Sequence, residues 1–350
     1  MLASASAGDA VTGFALELRE LLRAFGPSEV FAPHVDPRVA DEVHELRYYA
    51  DHPTDGATIV YHASIGNDVV YGFLAGRREP LVLVYHNISP PESFAPYEPA
   101  LAALLESGRD QVARLRPKVA LALAVSSFNA DDLTTLGYSD VRVIPLIVDS
   151  ALSRVRADGD TVRHLETYVH GPLALFVGQL LPHKRPELLV EALHTIATYL
   201  VPEAHLVLLG ARRIPAFAAA VQRQIVELGL ANAWIVGSVP PAVLRAYYEK
   251  ADVFVTASDH EGFCVPLIEA MGFDVPVVAR ATSAIPETLG GAGILVDASD
   301  GPITIGEAIT TVATDTAIHD ALVARGRARL ASFDADAARR RVLDELAPVL

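Results

Sequence analysis

The chain has 350 residues, 51% of them apolar, and 28 Lys and Arg stand against 43 Asp and Glu for a formal charge of −15. At ~100–200 residues per domain, this predicts two domains with a core each and excludes extended disorder. The acidity holds in both halves, −9 over residues 1–160 and −6 over 161–350, which argues against a nucleic-acid partner and leaves at most peripheral membrane contact.

No apolar stretch approaches the ~18–20 residues of a membrane span. The opening residues lack the basic start and apolar core of a signal peptide, and the single cysteine, Cys264, excludes a disulfide framework and a Cys-built metal site. The expectation is a cytoplasmic protein.

The first periodic segment is helical, over 14–25, and only small or polar residues 1–7 and Gly8-Asp9 precede it. The first strand is therefore expected to be short or missing. Apolar runs follow at 58–61, 81–85, 119–125 and 141–147, with a helical pattern over 98–115. Residues 150–170 are polar without an apolar period and mark a boundary near 160. A second series of runs lies at 173–177, 205–209, 233–236, 253–256, 275–279 and 293–296, spaced by helical patterns over 186–200, 216–228 and 241–250. Residues 310–350 read as two helices, the second capped by Asp334.

Several of these runs do not alternate with polar residues, as expected of parallel strands buried on both faces. The fold class is α/β, with two doubly wound Rossmann-like domains over 1–160 and 161–333 and a terminal helix over 334–350. The basic residues Arg109, Arg114, Arg116 and Lys118 read as a solvated helix face. Asp158/Asp160 and Asp334/Asp336 read as linker charge and helix capping, so no metal site is expected.

Dinucleotide, P-loop, zincin and nucleophile-elbow signatures are absent. Two places stand out. In Phe176-Val-Gly-Gln-Leu-Leu-Pro-His-Lys184-Arg185-Pro186, a strand ends, Gly178 and Gln179 open a loop, and Pro186 starts a helix. Lys184 and Arg185 then stand where the helix dipole disfavours cations by ~0.3–1 kcal/mol, a cost that a bound phosphate would reverse. In Glu261-Gly-Phe-Cys-Val-Pro-Leu-Ile-Glu269, the amides of Gly262, Phe263, Cys264 and Val265 precede a second helix and suit a diphosphate. Glu269 is expected in that helix's first turn, and Glu261 in the loop before it. Both carboxylates suit ribose and sugar hydroxyls, and both places follow strands of one domain.

The second segment resembles the E-x7-E signature of glycosyltransferase family 4, and the first is similar to that family's V-G-R-x4-K segment. Ala251-Asp-Val-Phe-Val-Thr-Ala-Ser258, Pro286-Glu287 and Gly290-Gly-Ala-Gly293 match further, in order and at suitable spacing. In the first half, Leu81-Val-Leu-Val-Tyr-His86-Asn87 resembles the family's strand-end histidine segment, and Gly8-Asp9-Ala10 its glycine loop.

The resemblance implies a GT-B fold, two Rossmann-like domains facing across a cleft with the last helix crossing back to the first. It implies a retaining, metal-independent and cofactor-free transfer from a UDP-, GDP- or other nucleoside diphosphate sugar to a hydroxyl-bearing acceptor. Lys184 would hold the diphosphate, Glu269 the ribose and Glu261 the sugar, with the 262–265 backbone on the phosphates. His86 would approach the sugar and Gly8 the phosphate, while the loops 34–55 and 87–97 would take the acceptor. Gln179 replaces the usual arginine and forgoes a cationic contact, and Cys264 replaces a frequent glycine. A same-fold epimerase or phosphorylase, or a non-catalytic nucleotide-sugar-binding subunit, are the alternatives.

Overall fold

The computed structural model describes residues 1–51, 56–148 and 151–350; residues 52–55 of the expected acceptor loop, and residue 150 of the expected boundary, lie outside the described residues. The chain divides into one unit of Met1–Ile147 with Ala335–Leu350 and a second of Val148–Asp334. The polar stretch read as a linker contributes a helix, Gly159–Tyr168, to the second unit, and Asp158 caps it by accepting from the Thr161 amide at 2.8 Å. A capping carboxylate and a short amphipathic helix leave little hydrophobic signal in the sequence.

In the first unit β1 (Val30–Ala32) pairs with β2 (Val43–Glu45), and β3 (Ile59–Ala63), β4 (Leu81–Tyr85), β5 (Val119–Ala124) and β6 (Val141–Val143) form a parallel sheet in that order. All five residues of β4 are buried, as its unbroken apolar run requires. Residues 1–5 run between the two sheets. Leu2 bridges to His62 of β3 and Ala5 to Val35, and the Leu2 amide donates to the Phe31 carbonyl at 2.9 Å. Leu2, Ala3 and Ala5 are buried, so this segment fills the place of a ragged first strand. Small side chains fit a strand flanked on both sides, which is why the sequence pattern hid it.

Asp9 caps the next helix, Ala10–Leu22, by accepting from the Thr12 amide. The terminal helix Ala335–Leu346 lies in this same unit, where Arg339 pairs with Glu17 at 2.8 Å and Glu345 with Arg142 at 3.1 Å. The tail holds three helices where two were expected, because Asp315 ends Pro302–Thr314 and caps Thr316–Leu330.

The second unit has six parallel strands: β7 (Leu173–Val177), β8 (His205–Leu209), β9 (Ala233–Gly237), β10 (Val253–Thr256), β11 (Val277–Arg280) and β12 (Ile294–Val296). Their spatial order is β12-β11-β10-β7-β8-β9. The direction of winding reverses between β7 and β10, which pair through Ala174 with Val253 and Leu175 with Phe254. In open parallel sheets a ligand crevice opens outside the carboxyl ends of the strands at that reversal. The core here is built from inward strand residues such as Leu175, Val207 and Phe254, with Leu267 and Met271 from the helix after β10.

Candidate active site

Both sequence-selected segments of the second unit begin at the reversal, one after β7 and one after β10. The β7 loop starts at Gly178, where a Cβ would sit 3.1 Å from the Phe176 ring and 3.4 Å from Lys184 Cδ. Glycine there leaves room for the lysine stem. The Gly178 amide donates to Leu209 O at 2.9 Å, and Gly210 comes so near that a Cβ on it would lie 1.9 Å from Gly178 O. Gly210 was not singled out in the sequence; only the close approach of the loops after β7 and β8 reveals its need. Gln179 follows, half-buried, and Pro182–Lys184 forms a 3-10 turn before Arg185 at φ 51° and the helix Pro186–Tyr199.

Lys184 Nζ donates to Glu261 Oε1 at 2.6 Å across 77 residues of sequence. Arg185 pairs with Glu187 and, at 3.0 Å, with Asp259. The helix-start cations that the sequence left exposed to an unfavourable dipole are thus met by protein carboxylates. Burial pulls the Lys184 ammonium down, and the charge and hydrogen bond of Glu261 outweigh it, so the net shift is upward.

After β10, Ser258 Oγ donates to the same Glu261 oxygen at 2.8 Å and lies 2.9 Å from Thr256 Oγ1. The Glu261 amide donates to Ser283 Oγ at 2.7 Å. Glu261 is thereby held at both backbone and carboxylate. Cys264 caps Val265–Gly272 at φ 72°, ψ 65°, the left-handed conformation in which a glycine is strain-free. Its thiol is pushed well above the ordinary range by burial and by the charge of Glu261. Phe263 turns its ring edge-on to Phe333 at 6.1 Å, and its carbonyl accepts from Thr288 Oγ1 at 2.6 Å.

Glu269 is the fifth residue of Val265–Gly272 and so sits in its second turn, not its first. Helix complementarity therefore does not account for it. Tyr248, fully buried and stacked on Phe273 at 5.4 Å, donates to Glu269 Oε2 at 2.9 Å. Burial raises the Glu269 carboxyl above its ordinary value, partly offset by this bond. Sequence reasoning missed Tyr248 and also Arg280, a buried guanidinium that holds Asp259 and the Ala257 carbonyl.

In the first unit His86 follows β4 and its amide donates to Ala63 O at 2.9 Å. Its Nε2 lies 2.9 Å from Nδ1 of His62, the rings stack at 5.2 Å, and Phe14 meets both edge-on. Burial lowers His86 to about 3 and His62 well below its ordinary value. Asn87 has φ 82° and donates to Asn129 Oδ1 at 2.7 Å. Gly8 turns the chain at φ 76° between residues 1–5 and Ala10–Leu22. Of the basic cluster, Arg114, Arg116 and Lys118 are exposed as expected; Arg109 grips Asp132 at 2.6 Å, Arg116 and Lys118 donate to carbonyls, and Arg114 lies over Tyr71.

Residues 162–329 match the family model of glycosyl transferases group 1. Over those residues the second unit is similar to the glycosyl transferases of group 1. A relative, the O-antigen chain mannosyltransferase B of Escherichia coli, is 28% identical over 275 residues, 75% of this chain and 68% of its own. Sucrose-phosphate synthase from Thermosynechococcus elongatus superposes with a TM-score of 0.78 at 21% identity, covering 99% of this chain and 95% of that one. HepE of Anabaena, solved in complex with UDP-glucose, gives 0.74 at 19% identity and covers 99% of both chains. The fold is GT-B. Among the described residues no helix is long and apolar enough to cross a membrane, and no group of three or more His, Cys, Asp or Glu is placed to hold a metal ion.

Proposed function

We propose that the chain is a retaining glycosyltransferase of family 4 character, moving a sugar from a nucleoside diphosphate sugar to an acceptor hydroxyl. The observation that carries this reading is the Lys184 ammonium against the Glu261 carboxylate at the carboxyl ends of β7 and β10. An ammonium has three N–H groups; Glu261 takes one, leaving two for diphosphate oxygens. Glu261 Oε1 is occupied by Lys184 and Ser258, and Oε2 would accept from sugar hydroxyls. Glu269, anchored through one oxygen by Tyr248, would accept ribose hydroxyls with the other.

The amides of Gly262, Phe263, Cys264 and Val265 lie at a helix start, where they lack intrahelical partners and carry the positive end of the dipole. As the anomeric bond breaks, negative charge gathers on the leaving diphosphate. Lys184 and these amides would stabilise it without reorganising, with Gln179 donating hydrogen bonds but no charge. We assign to His86 contact with the transferred sugar and to Gly8 contact with phosphate, and to loop 87–97 the acceptor. This scheme uses neither metal nor cofactor; retention rests on the family 4 resemblance.

The test is a thermal-shift panel of nucleoside diphosphates and their sugars, followed by transfer assays with NMR of the product's anomeric configuration. At a hundredfold excess over Kd, a ligand of the native state adds about 2.7 kcal/mol, so the true donor raises Tm by several degrees. Failure of every nucleotide to shift Tm overturns the donor site. An inverted product overturns retention, altered sugar nucleotide without acceptor identifies an epimerase, and binding without turnover identifies a non-catalytic subunit.

A further inference from the structure

We propose that His62 is a positioning residue for His86, fixing its ring orientation and the tautomer it presents to substrate. The inference rests on the sugar contact assigned to His86 above. His62 lies inside β3, paired in register with Val84, and is 3% exposed, so it is walled off from substrate itself. Its Nδ1 is 2.9 Å from His86 Nε2. Each neutral imidazole has one donor and one acceptor nitrogen, so the shared bond uses the donor of one ring and the acceptor of the other. The bond occupies Nε2 of His86 and leaves its Nδ1 as the free nitrogen.

The tautomer of His62 then sets the polarity of that free nitrogen. If His62 Nδ1–H donates, His86 Nε2 accepts and His86 Nδ1 carries the proton, so it donates to a substrate oxygen. In the opposite sense His86 Nδ1 accepts from a substrate hydroxyl. A histidine's second nitrogen commonly decides what its first can do in this way. The rest of the surroundings remove alternatives. The rings stack at 25°, Phe14 presents its edge to both, and His86's amide is bound to Ala63. Asn129, reaching Asn87 on one side and the Tyr85 carbonyl on the other, pins the chain across His86. Burial keeps both rings neutral, which is the state that this one-donor arrangement needs.

The experiment compares His62→Leu, which keeps bulk and removes the bond, with His62→Asn, whose amide can restore a polar group at the Nδ1 position. His86→Ala serves as reference. We expect His62→Leu to lower kcat ~10–100-fold with the donor KM within about threefold, the scale typical of an orienting partner, and His62→Asn to recover most of the loss. The nucleotide-induced Tm shift should be unchanged in all three, because neither histidine is among the residues assigned to the nucleotide. Equal losses in the Leu and Asn variants, or none in either while His86→Ala is impaired, would overturn the proposal. Should His62→Leu fail to fold, ring 15N NMR of histidine-labelled wild type and His62→Asn decides. One dominant His86 tautomer in wild type that shifts in the variant supports positioning, and an unchanged mixture sinks it. That spectrum needs no turnover, so it separates failure of this inference from failure of the transferase reading.

Discussion

The two units place their candidate residues alike, after the carboxyl ends of parallel strands, but hold them by different forces. In the second unit a full ion pair, Lys184 with Glu261, joins the loops of two neighbouring strands, at side-chain exposures of 17% and 10%. In the first, a neutral histidine pair and an open glycine turn stand at the corresponding places. The difference matters because a half-removed ion pair leaves an uncompensated charge, costing about 3–5 kcal/mol when buried, whereas a neutral hydrogen bond contributes about 0.5–1.5 kcal/mol. Charge in the second unit suits an anionic diphosphate, and neutrality in the first suits hydroxyls.

The largest effect that would test this contrast is Lys184→Met. Transfer should fall at least ~100-fold, as when a stabilising electrostatic donor is lost, and the urea midpoint should drop because Glu261 is left unpaired. Adding Glu261→Gln should restore the midpoint and leave transfer abolished. A midpoint that does not recover, transfer that does, or unchanged activity in the single variant breaks the reading of the pair as both structural and functional.

Glycines give the next contrast. Gly210→Ala drives a Cβ toward Gly178 O and should cost about 3 kcal/mol, the upper range of overpacking, whereas Gly8→Ala meets open space and pays only left-handed strain of about 1 kcal/mol. Denaturant melts of the two variants should be separated accordingly. Equal losses would show that the second unit's loops yield as readily as the first's.

A pH slope gives the last test. His86 titrates at about 3 when folded and near 6.5 when unfolded, so between those values the unfolded chain binds the extra proton. Stability is therefore retained above pH 6.5 and declines as pH falls toward 3. His62, lowered in the same direction, adds to the slope, as does His183 in the second unit. Tm measured from pH 7 to 4.5 should fall less steeply in His62→Asn than in wild type. An unchanged slope would show that His62 contributes nothing to the acid sensitivity.

The strands β4, β7, β8 and β10 were legible in the sequence, because a run buried on both faces must be continuously apolar. So were the loop positions of Lys184 and Glu261, since a strand end followed by a proline-opened helix is written in local chain order. The three-residue β1 and β2 and the ragged segment 1–5 were not, since so few residues carry no period and small side chains carry no hydrophobic signal.

What the sequence by itself determined was which residues stand at the strand ends and what chemistry they bring. Which of them touch was decided by the tertiary structure. Lys184 meets Glu261 because β7 and β10 are neighbours at the winding reversal, and Tyr248 reaches Glu269 because two helices pack on that sheet. His62 meets His86 because β3 and β4 run in register. Helix caps and strand runs arise from neighbours along the chain. Pairings such as these arise from strand order, which no local pattern encodes.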